Sequence, residues 1–354
     1  MMDMGKIQIL GRNVRGGVVI AALCVAAVVL AAANLTIGAV DIPLHEVWNI
    51  ISGTGSDNDV WELIITQSRL PLVATAALSG AALAIAGLLM QTLFNNPLAD
   101  PSILGVSSGS SLGVAVVMLL LGGELGTLFG STIGGYISIL AGAMVGAAAI
   151  LATLMLFSTL VRSGTILLII GIMISFLASS FISLLNFFST QEGVHSYVIW
   201  GLGNFSGVTN SSLPLFAIVT LLAIGWSMLL CKPLDALLLG NRYAESLGVN
   251  LRHTRNSLLL IAGLLTATVT AFCGPIGFIG LVVPHIARLL LNSSSHSILL
   301  PCTMLAGAVV ALMCQLVSVL PASGMIPINA ITPIVGVPII IHIILNRNKI
   351  KYFN

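Results

Sequence analysis

The sequence is a succession of apolar runs, such as GGVVIAALCVAAVVLAAANL near the start and SLPLFAIVTLLAIGWSMLL near the middle. Many of them approach the length of about 20 residues that a helix needs to cross a bilayer. The runs fall near 16–35, 70–94, 101–121, 133–157, 165–188, 213–231, 256–276, 277–291, 298–320 and 331–346. Lipid offers the backbone no hydrogen bonds, so each spanning segment must satisfy its own, and the runs are expected to be helices. With 57% hydrophobic and 7% charged residues, the chain lies far from the roughly 25% charge of a soluble domain. The expected fold is therefore an all-α integral membrane protein, one transmembrane domain over 1–354 with about ten spans. The eighth run is short, and Pro333 and Pro338 interrupt the tenth.

Lys6, Arg12 and Arg15 precede the first run as in a secretory leader. The run is long, however, and no small-x-small cleavage site stands out before Asn34, so a retained span is expected. Ten spans put both termini on one side. Lys6, Arg12, Arg15, Arg162, Lys232, Arg242, Arg252, Arg255, Arg288, Arg347, Lys349 and Lys351 then share that side, and Arg69 alone of 13 basic residues lies opposite. Basic residues concentrate on the cytoplasmic side, which predicts cytoplasmic termini, with 34–68 and 321–330 outside. The net charge of +2 carries no nucleic-acid signature.

One island interrupts the apolar pattern, CKPLDALLLGNRYAESLGVNLRHTRN at 231–256. Leu234–Leu239 and Tyr243–Val249 are expected to form two short helices joined at Gly240, with Gly248 ending the second. A merely topogenic loop would be polar. This one carries Leu237, Leu238, Leu239, Tyr243, Leu247 and Val249, which need a surface to cover. It reads as a helical knob for a cytoplasmic partner.

Residues 69–113 form a second distinctive stretch. Ala77, Gly80, Ala81, Ala84 and Gly87 make a small-residue face suited to close helix crossing. The run breaks at Asn95-Asn96-Pro97 and restarts after Pro101 with Ser107, Ser108, Ser110 and Ser111. Such a polar start faces protein or water rather than lipid. With Arg69-Leu70-Pro71-Leu72, Asn96 to Pro101 and Leu104 to Gly109, this pattern closely resembles the permease family of bacterial ABC importers for iron–siderophore complexes, haem and cobalamin. Leu72 stands where the family's motif has a second Arg. The resemblance continues through Trp200 to Gly203, Phe205 to Gly207, Leu239-Gly240, Ser246 to Val249, and Gly274 to Arg288, and so covers nearly the whole chain.

The resemblance implies a type II importer permease of the bacterial cytoplasmic membrane. It would be a homodimer or close heterodimer in membrane lipid, with a path along the dimer axis. It implies ATP-binding cassette ATPase subunits below and a substrate-binding protein above. The segment at about 234–251 would be the coupling element, with Asn241, Arg242, Ala244, Glu245, Ser246, Leu247 and Gly248 against the ATPase. By position, Ser163, Gly164 and Thr165 match the inner constriction. Arg69 is the expected electrostatic contact for the binding protein. ATP and Mg belong to the partner ATPase; no cofactor or metal is expected on this chain. Iron–siderophore is taken as the cargo because it is the commonest in the class, with haem and cobalamin as alternatives.

Other residues have plainer readings. His285, beside Pro284, is expected to be a satisfied structural histidine at a kink, and Asp100 a helix cap. Ser107, Ser108 and Ser110 fit close packing and path lining equally. Cys24, Cys273, Cys302 and Cys314 within apolar runs, and Cys231 at the end of one, read as small core residues, and the methionines as gap fillers. No P-loop, HExxH or nucleophile elbow is present, so the chain is not itself expected to hydrolyse ATP or act as an enzyme. An ion-coupled secondary transporter is the rival reading, but that class carries intramembrane charges these runs almost lack.

Overall fold

The computed structural model describes residues 4–38, 40–55, 58–120, 132–161, 163–321 and 324–345, without the side chains of 4–14, 132–134 and 343–344. Lys6, Arg12, Arg162, Arg347, Lys349 and Lys351, whose charges entered the topology reading, lie outside the described residues or side chains. Among the described residues there is no strand.

The helices, in order, are α1 Met4–Thr36, α2 Leu44–Ser52, α3 Asp59–Leu93, α4 Val106–Leu120, α5 Thr132–Leu160, α6 Gly164–Phe188 and α7 Gln191–Gly201. There follow α8 Leu213–Leu229, α9 Cys231–Leu237, α10 Asn241–Ser246, α11 Leu251–Cys273, α12 Ile279–Leu291, α13 His296–Val319 and α14 Ile328–Leu345. Six of these are long and apolar enough to cross a membrane, and the bent pair α8–α9 is a seventh candidate. Helices α4, α12 and the apolar part of α14 are shorter. At 1.5 Å per residue α12 is only about 20 Å long, against about 30 Å of hydrocarbon. It begins after a break at Gly274–Phe278 and stops at Asn292, which adopts a left-handed conformation.

Two helices form the centre. The hydrophobic windows of α3 and α11 are each 83% buried, whereas that of α1 is 6% buried and lies on the periphery. Small residues set the crossings, as their spacing predicts. A Cβ added to Gly80 would lie 2.2 Å from the Gly307 carbonyl oxygen, and one on Gly307 would lie 2.3 Å from that of Gly80. Helices α3 and α13 therefore touch backbone to backbone. Gly87 meets Gly280 of α12 in the same way. Asn34 ties α1 to the bundle, its amide donating to the Leu312 carbonyl at 3.1 Å.

Several boundaries depart from the sequence reading. Helix α3 begins at Asp59, well before the expected start near residue 70. A π-helical turn at Ile65–Arg69 lies just before Pro71, where the ring would otherwise crowd the preceding turn. The segment expected as a mixed outer stretch also contains α2, with Val47 and Ile50 buried and Trp48 exposed. Helix α11 starts at Leu251 rather than 256, because the Asn250 side chain caps it, accepting from the His253 amide at 3.0 Å. Cys24 lies on the exposed face of α1 rather than in the core. The break after α3 falls where expected, with Asn95 at φ +46°.

Candidate functional site

The polar island leaves the apolar bundle at a bend of 57° between α8 and α9. Pro233 sits in the first turn of α9, where its missing N–H costs nothing. Leu234, Ala236 and Leu237 point into the bundle and are buried. Gly240 then turns the chain at φ +95°. Helix α10 closes on two bonds: the Gly248 amide donates to the Glu245 carbonyl at 2.9 Å, and the Val249 amide to that of Ala244 at 3.0 Å. With Gly248 at φ +84°, this is a Schellman cap.

The knob has two faces. Ala244 is fully buried and holds α10 against the bundle, while Leu239, Tyr243 and Leu247 are more than half exposed. Arg242 and Glu245 flank them, also exposed, and among the described residues neither forms an ion pair. Of the six apolar residues expected to need a surface, Leu237 thus finds it in its own chain, and Leu239, Tyr243 and Leu247 do not. A clustered apolar patch rimmed by charge marks an interaction surface.

Behind the knob lies a cleft of about 780 Å³, where Asn241, Arg242 and Glu245 face Ser163 and Gly164. A second cleft of about 690 Å³ brings Gly164 and Thr165 together with Gly240 and Ser246. Two groups far apart in sequence therefore meet. Ser163 caps α6, and Phe94, just past the end of α3, packs against Gly164.

The chain matches the FecCD transport family over residues 23–346. It belongs to that family. Curated relatives include the vitamin B12 import system permease proteins BtuC of Salmonella newport (strain SL254) and Salmonella typhimurium (strain LT2). Each is 36% identical over 291 residues, which is 81% of this chain and 85% of the relative. A solved structure described as an inward-facing conformation of a metal-chelate type ABC transporter superposes with a TM-score of 0.80. It is 31% identical, and the match covers 92% of this chain and 98% of that one. The chain is thus an ABC importer permease of the FecCD family and a multi-pass inner-membrane protein.

The remaining candidate residues of this FecCD-family chain are placed as follows. Ser107 of α4 is buried and bonds Thr270 of α11 at 2.8 Å. Ser110 is fully buried and Ser108 half-buried. Asp100 accepts from the Ser102 amide at 2.8 Å and from its hydroxyl, a cap on the turn Pro101–Leu104. His285 is 2% exposed, and its Nε2 lies 2.8 Å from the Pro97 carbonyl. A carbonyl only accepts, so Nε2 carries the hydrogen. This bond pins the 95–101 break to α12, the structural role read from sequence.

Arg69 departs from its expected role. It is buried, and its guanidinium donates to the carbonyls of Leu35 at 2.6 Å, Thr36 at 2.8 Å and Val40. Leu35 and Thr36 close α1, where helix carbonyls are left free, and Val40 lies in the turn that follows; Arg69 donates to all three, and Thr36 also accepts from the Ile42 amide at 3.2 Å. Arg69 braces α1 to α3, and its side chain is turned inward.

Two connections had no counterpart in the sequence reading. Arg255 in the first turns of α11 donates to the Val161 carbonyl at 3.0 Å and to that of Ser158, holding the carbonyl end of α5. A cation at a helix C-terminus meets both free carbonyls and a favourable dipole. This joins the island to the segment leading into Ser163. Asp235 of α9 bonds the His296 ring at 2.7 Å, and the other ring nitrogen lies 3.0 Å from Thr92 Oγ1.

Proposed function

We propose that this chain forms the translocation path of an importer for a bulky metal chelate, driven by separate ATPase subunits that seat on the 234–251 segment. One observation carries the reading: an apolar, charge-rimmed knob, unfilled by the chain's own residues, borders the same clefts as the 163–165 triplet. An ion-coupled carrier has no need of such a surface. Asn241, Arg242, Ala244, Glu245, Ser246, Leu247 and Gly248 form or shape the contact, and ATP with its Mg belongs to the ATPase. A second permease copy completes the path, and a substrate-binding protein delivers cargo. In this reading ten helices span the membrane and both termini are cytoplasmic.

Cobalamin is the cargo we place first, because the vitamin B12 permeases match over four-fifths of the chain. Iron–siderophore, expected from the sequence, stands second on the family assignment. Proteoliposomes holding the permease, its ATPase subunits and binding protein are expected to take up cobalamin with ATP, in preference to ferric siderophore or haem. Uptake driven by an ion gradient without ATPase subunits contradicts the importer reading. ATP-driven uptake of only another chelate corrects the cargo.

A further inference from the structure

We propose that Asp235 is the positioning residue through which the coupling segment grips the transmembrane core, so that its movement reaches α3 and α13 through one polar node. The inference rests on the permease reading above and deepens it.

Helix α13 begins without a cap of its own, because Ser295 at its N-cap makes no capping hydrogen bond. The first free amides of a helix need acceptors, and the dipole favours a carboxylate there. Asp235, from a different helix and 61 residues away, supplies both. Its Oδ1 accepts from the His296 amide at 2.7 Å and lies 2.7 Å from the His296 ring nitrogen Nδ1. Its Oδ2 accepts from the Ser295 hydroxyl at 3.3 Å.

The His296 ring is fully buried and carries the connection inward, its Nε2 lying 3.0 Å from Thr92 Oγ1. Thr92 lies in the last turn of α3, just before the Asn95–Pro97 break and the 163–165 clefts. One carboxylate thus links the coupling segment to the same end of both α3 and α13. Those helices are in backbone contact at Gly80 and Gly307, so they shift together. Helix α9 also packs on the core through the apolar side chains of Leu234, Ala236 and Leu237. Apolar contacts are non-directional and allow sliding; charge-assisted hydrogen bonds fix direction and register.

The test uses the complex purified with its ATPase subunits, with Asp235→Ala, Asp235→Asn and Thr92→Val beside the unmodified chain. For Asp235→Ala, hydrolysis is read per bound ATPase subunit, because Asp235 lies within the segment on which those subunits seat. Cargo-stimulated hydrolysis should fall about tenfold, the scale of one lost charge-assisted bond. Asp235→Asn keeps an acceptor but no charge and should lie between. Thr92→Val is nearly isosteric and should lower stimulation in the same direction if Asp235→Ala does not assemble. Full stimulation in either Asp235→Ala or Thr92→Val overturns the proposal. So does a loss confined to melting temperature, with stimulation per folded complex unchanged. If the unmodified chain binds no ATPase subunit, the permease reading itself fails.

Discussion

The two glycines of the coupling segment separate backbone geometry from packing, because a Cβ added at either meets nothing within 4 Å. Any cost of substitution is therefore conformational. Gly248 is a left-handed cap at φ +84°, a conformation that Asn tolerates and β-branched residues resist. Gly240 combines φ +95° with ψ 154°, a region open almost only to glycine. Forcing an ordinary residue left-handed costs about 1–2 kcal/mol, a factor of about 5–30 in population. The six residues of α10 have little else to hold Leu247 in place. We expect Gly248→Val to weaken ATPase-subunit affinity about 5–30-fold, Gly248→Ala less, and Gly248→Asn hardly at all. Gly240→Asn, by contrast, should weaken it like Gly248→Val. The assay is titration of the ATPase subunit onto permease in nanodiscs, with melting temperature as the control for folding. Equal affinity for Gly248→Val and Gly248→Asn would refute the reasoning, as would a tolerated Gly240→Asn.

Three further outcomes follow from the packing and topology. Arg69→Ala removes the donor from the Leu35 and Val40 carbonyls, while Thr36 keeps the Ile42 amide, and should destabilise the permease by about 1–3 kcal/mol in a detergent melt; binding-protein affinity should become no less salt-sensitive. Gly307→Ala places a Cβ against the Gly80 carbonyl and should cut the yield of folded protein, while Gly225→Ala, with nothing within 4 Å, should not. A cysteine at Asn58 should react with an impermeant reagent from outside and one at Asn241 should not; the reverse pattern overturns the proposed orientation.

Much of this architecture is legible in the sequence because lipid leaves so few choices. An apolar run must be a helix, and a small-residue face such as Gly80–Ala84–Gly87 must meet another backbone. Gly240 and Gly248 were readable for a similar reason, since glycine beside a short helix in a polar island has few other uses. The short amphipathic helix α2 was missed because its apolar residues never form a long run. Arg69 misled because sequence supplies a charge near an interface but not its direction. The acceptors it serves, on Leu35, Thr36 and Val40, are backbone atoms that no residue type reveals. The link between Asp235 and His296 was invisible for the same reason. It joins two helices across a long separation, and the cue is an uncapped helix start, known only once the chain is folded.

The most direct test of the coupling role is cargo-stimulated ATP hydrolysis by the reconstituted complex, comparing the unmodified permease with Leu247→Asp. Leu247 is 59% exposed, so a carboxylate there leaves the bundle intact and disrupts only what docks on it. The account predicts that Leu247→Asp assembles in the membrane at normal levels, retains little ATPase subunit in a pull-down, and loses stimulation by cargo. Full stimulation in Leu247→Asp, at unmodified ATPase occupancy, would contradict it.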